Sequence, residues 1–222
     1  MNKTIKILVP VAAAAVLSSV SQGATVTYTR DSGVIQTDFP SSTVITVPGF
    51  DGALDCREGS ASALTGVSVH LRADLASQGT LTNPGSNQST VNATVTVGGP
   101  FTLTLPAGSS NPSLVATPSI NFGVTTVAPG NTATLTATGA NAHASGSGLG
   151  GNWTGATVSL PISTLIGQSI TGGGGANVSL TLTSFGLATV DVTYESQACV
   201  IPEPKVYGAV GALLSLGLQI GR

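Results

Sequence analysis

Charge is what this chain has least of. Lys and Arg number 7 and Asp and Glu 9, together 7% of 222 residues, against about a quarter in an ordinary soluble protein. Aromatic residues make up 4%, with one Trp, one Met, two His and two Cys. Each shortage removes a class of function. Without a cluster of Lys or Arg there is no electrostatic footprint for nucleic acid, which is not an expected partner. The two histidines, His70 and His143, give proton chemistry little to work with. Neither has an Asp or Ser at a spacing that supports a triad, and Gly146-Ser147-Gly148 is a glycine loop rather than a strand–elbow–helix that presents a nucleophile. No catalytic residue is assigned. Between the two ends of the chain no segment repeats its apolar residues every 3.6 or so positions, so little helix is expected there.

What remains is Thr, Ser, Gly, Val and Ala, with hydrophobic residues at 41%. Disorder combines high charge with low hydrophobicity, and this chain has neither. Segments 25–30, 42–47, 65–72, 91–97, 101–105, 131–138, 156–160, 178–183 and 187–194 alternate apolar with hydroxyl residues, the period of half-buried antiparallel strands. Val91, Ala93, Val95 and Val97, for example, fall on one face, with Asn92, Thr94 and Thr96 on the other. Threonine suits such strands because its branched Cβ fits a pleated surface. Gly, Pro, Asn and Ser punctuate the segments. The expectation is an all-β fold, an antiparallel β-sandwich of Ig-like or jelly-roll-like form. Short edge strands are expected in the Pro-punctuated stretch 109–128.

The two ends differ from this middle. Lys3 and Lys6 precede an apolar run over 7–17 and a small, polar stretch to Ala24. That is the layout of a secretory signal peptide with a helical apolar region, cleaved after Gly23 or Ala24. At the other end Pro202-Glu203-Pro204 precedes an apolar run over 206–220, and Arg222 closes the sequence. As a helix that run measures about 23 Å, shorter than a bilayer core of about 30 Å. The domains are therefore read as 1–24 signal peptide, 25–200 β-sandwich and 201–222 sorting tail with a short transmembrane helix. Without its two ends the chain keeps three bases (Arg30, Arg57, Arg72) and eight acids (Asp31, Asp38, Asp51, Asp55, Glu58, Asp74, Asp191, Glu195), a net charge of −5.

The tail resembles the PEP-CTERM sorting signal of Gram-negative bacteria. In that family the tripeptide, here Pro202, Glu203 and Pro204, the hydrophobic helix and a basic end, here Arg222, are recognised by exosortase, a membrane protease-transferase. The middle resembles the choice-of-anchor E domain through Phe50-Asp51-Gly52-Ala53-Leu54, Leu64-Thr65-Gly66-Val67-Ser68-Val69 and Gly79-Thr80-Leu81-Thr82-Asn83. That resemblance implies an exported, surface-attached domain without an established activity.

Three sets of residues remain as candidate sites. Cys56 and Cys199 are an even pair in an exported chain, which favours a disulfide over two free thiols. On the chain-entropy model it would stabilise the fold by about 4–5 kcal/mol. Asp51, Asp55 and Glu58 form the densest acidic cluster, and calcium is the one cofactor such loop carboxylates would suit. Their spacing is not that of an EF-hand, and Arg57 among them fits simple ion pairing. Trp153, after a glycine loop, is either a core residue or an exposed ring able to stack on a sugar. The functional expectation is an exported, exosortase-processed protein of the cell surface or extracellular matrix, structural or adhesive rather than catalytic. It is held in the inner membrane until processing and associates with extracellular polysaccharide. The alternatives are a carbohydrate-binding module using Trp153 and, more remotely, an extracellular hydrolase.

Overall fold

A computed structural model describes residues 24–36, 42–51, 63–85, 90–172 and 178–197. Among them are eleven strands and no helix: β1 (Ala24–Gln36), β2 (Ser42–Pro48), β3 (Leu64–Thr82), β4 (Val91–Gly98), β5 (Phe101–Thr104), β6 (Ser113–Ala116), β7 (Ser119–Val127), β8 (Thr132–Gly146), β9 (Thr157–Thr164), β10 (Gly167–Gly172) and β11 (Ser179–Ser196). The strands form because hydroxyl and apolar side chains alternate. In β4 every odd-numbered residue is buried, and β9 alternates exposed and buried along its whole length. The chain is all-β, and every strand ladder is antiparallel.

One layer is the sheet β1-β11-β3-β8. Its centre is the pairing of β3 with β11, which runs from Ser179↔Thr82 to Ser196↔Leu64. Nineteen residues of strand, the length of β3, extend for roughly 60 Å.

Facing it are two shorter sheets, β2-β9-β5-β6 and β10-β4-β7, which are one sheet cut across by a line of breaks. Successive strands β4 and β5, β6 and β7, and β9 and β10 each step from one short sheet to the other, at Gly99-Pro100, Thr117-Pro118 and Leu165-Ile166. Register carries across the line. Gly98↔Gly167 resumes as Phe101↔Thr164, and Gly98↔Ser119 resumes as Phe101↔Ala116. Proline has no N–H to give a ladder, so Pro100 and Pro118 interrupt it. The gap is held by Gly99 N donating to Pro118 O (3.3 Å) and Leu165 N donating to Pro100 O (3.2 Å). Gly99 must be glycine, because the carbonyl of Leu165 occupies the place of its Cβ.

The layers enclose a core that changes partners along its length. Val67, Val69 and Leu71 of β3 and Val190 and Val192 of β11 pack with Ile45, Phe101, Leu103, Leu160 and Ile162 of β2-β9-β5-β6. Leu81 and Leu135 pack with Val91, Ala93, Val95 and Val127 of β10-β4-β7. Between them Leu75, Val97 and Ile120 form a small cluster beside the line of breaks.

The strands are longer than their alternation foretold. Segments 178–183 and 187–194 belong to a single strand, β11. The weak link, Ser184-Phe185-Gly186, stays in register because both neighbours hold it, and Ser184 Oγ meets Ser77 Oγ at 2.9 Å inside the core. β3 likewise continues ten residues past Arg72 to Thr82 through a stretch of low strand propensity, where cross-strand pairing overrides local preference. Strand β10 lies in a region the alternation left unassigned. The expected helices at the two ends, the cleavage residue Gly23, and Asp55, Cys56, Glu58, Cys199, Pro202, Glu203, Pro204 and Arg222 lie outside the described residues.

Gly99→Ala should lower stability by about 1–3 kcal/mol, because backbone rather than a movable side chain blocks the added methyl. Gly167→Ala, whose Cβ meets nothing nearer than 4.0 Å, should change it by less than about 0.5 kcal/mol. Urea unfolding of both variants checks the pair, and equal effects would refute the role given to the break line.

Candidate functional site

Side-chain chemistry is unevenly spread. Among the described residues Arg30, Asp31, His70, Arg72, Asp74, His143, Asp191 and Glu195 all lie on the strands β1, β3, β8 and β11, and the only other charged residue is Asp51. The strands of the facing layer carry no charge, only Ser, Thr, Asn, Gln and apolar residues.

The outward rows of the long sheet follow from its registers. Even-numbered residues of β11 from Ser184 to Tyr194 are buried, except that Gly186 contributes only backbone, so Phe185, Leu187, Thr189, Asp191 and Thr193 face out. Across the sheet Thr29, Asp191, His70 and Ser145 form one row, and Asp31, Thr189, Arg72 and His143 the next. Thr29 Oγ1 donates to Asp191 Oδ1 at 2.6 Å, and His70 Nδ1 lies 3.6 Å from Asp191 Oδ2. The rings of His70 and His143 stack with centroids 5.2 Å apart. Arg72 donates to Asp74 Oδ1 through both Nε (3.1 Å) and a terminal nitrogen (2.9 Å).

Spacing along the chain gives neither histidine an acid placed for a triad. The β3–β11 pairing sets Asp191 beside His70, and the β3–β8 pairing sets Ser145 on its other side. His70 and Asp191 are 42% and 38% exposed, so water competes with the pair and its contribution is about 0–1 kcal/mol. A shallow hollow of about 270 Å³ beside them is lined by Ser68, His70, Ser145, Ser147, Asp191 and Thr193. A larger groove of about 370 Å³ lies further along the same sheet. Its lining includes Val34, Phe185, Leu187, Asp74 and Asn141. Phe185 is 40% exposed and Val34 73%. This face can offer hydrogen-bonding side chains and one exposed aromatic ring to a ligand. For a metal it offers little, since no group of three ligating side chains converges among the described residues. Of the acids Asp51, Asp55 and Glu58, only Asp51 is described, and it is exposed.

Trp153 is not part of any such surface, which corrects the sugar-stacking expectation. Its relative exposure is 0%, and its Nε1 donates to Gly150 O at 2.9 Å. The glycine loop holding it is fixed, not free: Leu149 N donates to Val67 O (3.1 Å) and Phe50 N to Trp153 O (2.8 Å). Loops run over the surface as a rule, but this one carries Leu149 and Trp153 down into the core. The ring packs edge-on to Tyr194, which also meets Tyr28 and Phe50, at centroid distances of 6.4, 6.0 and 5.9 Å. The Tyr194 hydroxyl donates to Pro48 O at 2.9 Å and so ties β11 to β2 in the facing layer. Burial, and secondarily the neighbouring Tyr28, pushes its pKa up to about 12.

That shift sets a pH dependence. The unfolded tyrosine ionises near pH 10 and the folded one near 12. Stability from this group is therefore complete below pH 10 and is lost as pH rises through 12. Tyr194→Phe should flatten that alkaline decline while costing about 0.5–1.5 kcal/mol at neutral pH for the lost hydrogen bond. Urea midpoints across this range test it, and an unchanged slope in the variant would refute the assignment.

The chain matches no known protein-family model, no curated protein and no solved structure.

Proposed function

We propose that this is an exported, non-catalytic protein of the cell surface or extracellular matrix, released from its membrane tether at Pro202-Glu203-Pro204 by an exosortase-like enzyme. The observation that carries the reading is where the body begins and ends. Ala24, next to the signal-like segment, pairs with Ser196, close to the sorting-like tail. Both sequence signals thus lead into one pole of the long sheet, and the other pole, at Thr82 and Thr132, lies roughly 60 Å away. Such a body, held at one end, is suited to display. Its facing layer of hydroxyl and amide side chains, with exposed Val44, Val115, Val124 and Leu165, supports contact with neutral polymers or proteins rather than with ionic partners. The layering, four strands over four at one pole and four over three at the other, supports the jelly-roll-like form of the sandwich.

The same pole supports the disulfide. Gln197 N donates to Ala63 O at 2.9 Å, and Thr65 Oγ1 to Glu195 O at 3.0 Å. The segments bearing Cys56 and Cys199 therefore start from neighbouring points, two residues from Cys199 and seven from Cys56. A bridge there would clamp the tail's base to the sheet.

Replacing Pro202, Glu203 and Pro204 with alanine should abolish surface retention and leave the tail attached in the mass of the cell-associated protein. Unchanged retention and an unchanged C-terminal mass would overturn the reading. Thiol labelling of the unfolded protein without reductant should find no reactive cysteine, and two labels per chain would disprove the bridge.

A further inference from the structure

The two edges of the long sheet are not alike. Edge β1 carries Arg30 and Asp31, breaks its register between Asp31 and Val34, where Gly33 has φ 68°, and runs beside β2. Charges, bulges and cover are the usual guards against strand addition. Edge β8 runs beside β6 and β7 much as β1 runs beside β2, but over 138–146 it carries neither charge nor bulge. That stretch, Thr-Gly-Ala-Asn-Ala-His-Ala-Ser-Gly, contains no charged residue and no proline. Its register with β3 is unbroken from Ser77↔Thr138 to Val69↔Gly146, the irregularity falling just before it. Among the described residues its main chain bonds only to β3, so a row of amides and carbonyls points away from the sheet.

We propose that this edge pairs with the same edge of a second copy, in an antiparallel dimer centred on Ala142. The sequence is self-complementary about that residue. Ala142 meets Ala142, and Ala140 meets Ala144, all on the partly buried inner face. Asn141 meets His143, and Gly139 meets Ser145, on the outer face. No like charges oppose each other, and Asn141 can hydrogen-bond the imidazole it faces. Only the antiparallel arrangement keeps inner face beside inner face. Either hydrogen-bonding phase of β8 fits, because a two-fold axis can pass through a wide or a narrow pair. A nine-residue strand pair is small, below the about 1,200 Å² of standard interfaces, so the dimer is weak and concentration-dependent. Because each pair is isologous and the β1 edge is guarded, assembly stops at two.

The dimer goes beyond the surface-display reading and does not depend on it. Sedimentation of the full chain in mild detergent, from roughly 10 to 500 µM, should show a monomer passing to a dimer. Amide exchange over 138–146 should slow with concentration while β4 stays constant. The double variant Asn141→Lys and His143→Lys changes two exposed residues and places four cations together at the junction. It should weaken dimerisation by at least about tenfold with an unchanged circular dichroism spectrum. A monomer throughout the range overturns the proposal. So does a dimer undiminished in the double variant, which would mean association through the tail. So does exchange over 138–146 that is slow at every concentration, which would mean that the chain covers its own edge.

Discussion

Everything in this fold is attached to the pairing of β3 with β11. Their ladder joins Leu64–Thr82 to Ser179–Ser196, segments separated by most of the domain's length. β1 and β8 add to its sides, and the facing layer packs on its inner row. Such a pairing closes a long loop before any contact rewards it, a slow step in folding. Once formed, it organises the rest. The facing layer, by contrast, is cut at Gly99-Pro100, Thr117-Pro118 and Leu165-Ile166, and two backbone hydrogen bonds across the gap carry its register through.

That division explains what the sequence disclosed. Where one strand face is apolar and the other hydroxyl, as over 91–97 or 156–160, alternation by itself identifies the strand and its buried side. Where the pattern lapses, at Ser184-Phe185-Gly186 or from Ala73 onward, the strand continues because its neighbours do. Nothing local reports that. The outer-face chemistry was hidden for the same reason. His70, His143 and Asp191 stand far apart along the chain and become neighbours only through two registers. Trp153 was left between core and surface by the sequence, and it is in the core. Glycines around it look like a surface loop, yet Leu149 in the same loop was a signal that it turns inward.

The aromatic cluster and the break line divide stability between the poles. At one end three rings converge on Tyr194, whose hydroxyl reaches across the layers to Pro48. At the other the core of Leu81, Val91, Ala93, Val95, Val127 and Leu135 is wholly aliphatic, with the partly buried Phe122 at its margin. Larger rings bury more area, so the pole at Ala24 and Ser196 is the more firmly closed.

Having Ala24 and Ser196 side by side also decides how the body meets mechanical load. Tension applied at Ser196 runs along β11 itself, parallel to the strand and across its ladder bonds. A resisting grip on β8 lies two strands away in the same sheet. The β11–β3 and β3–β8 ladders are then loaded in shear, with many hydrogen bonds sharing the force at once, instead of being opened one bond at a time from an end. With no helix among the described residues, the body's tensile strength would rest on strand length and direction.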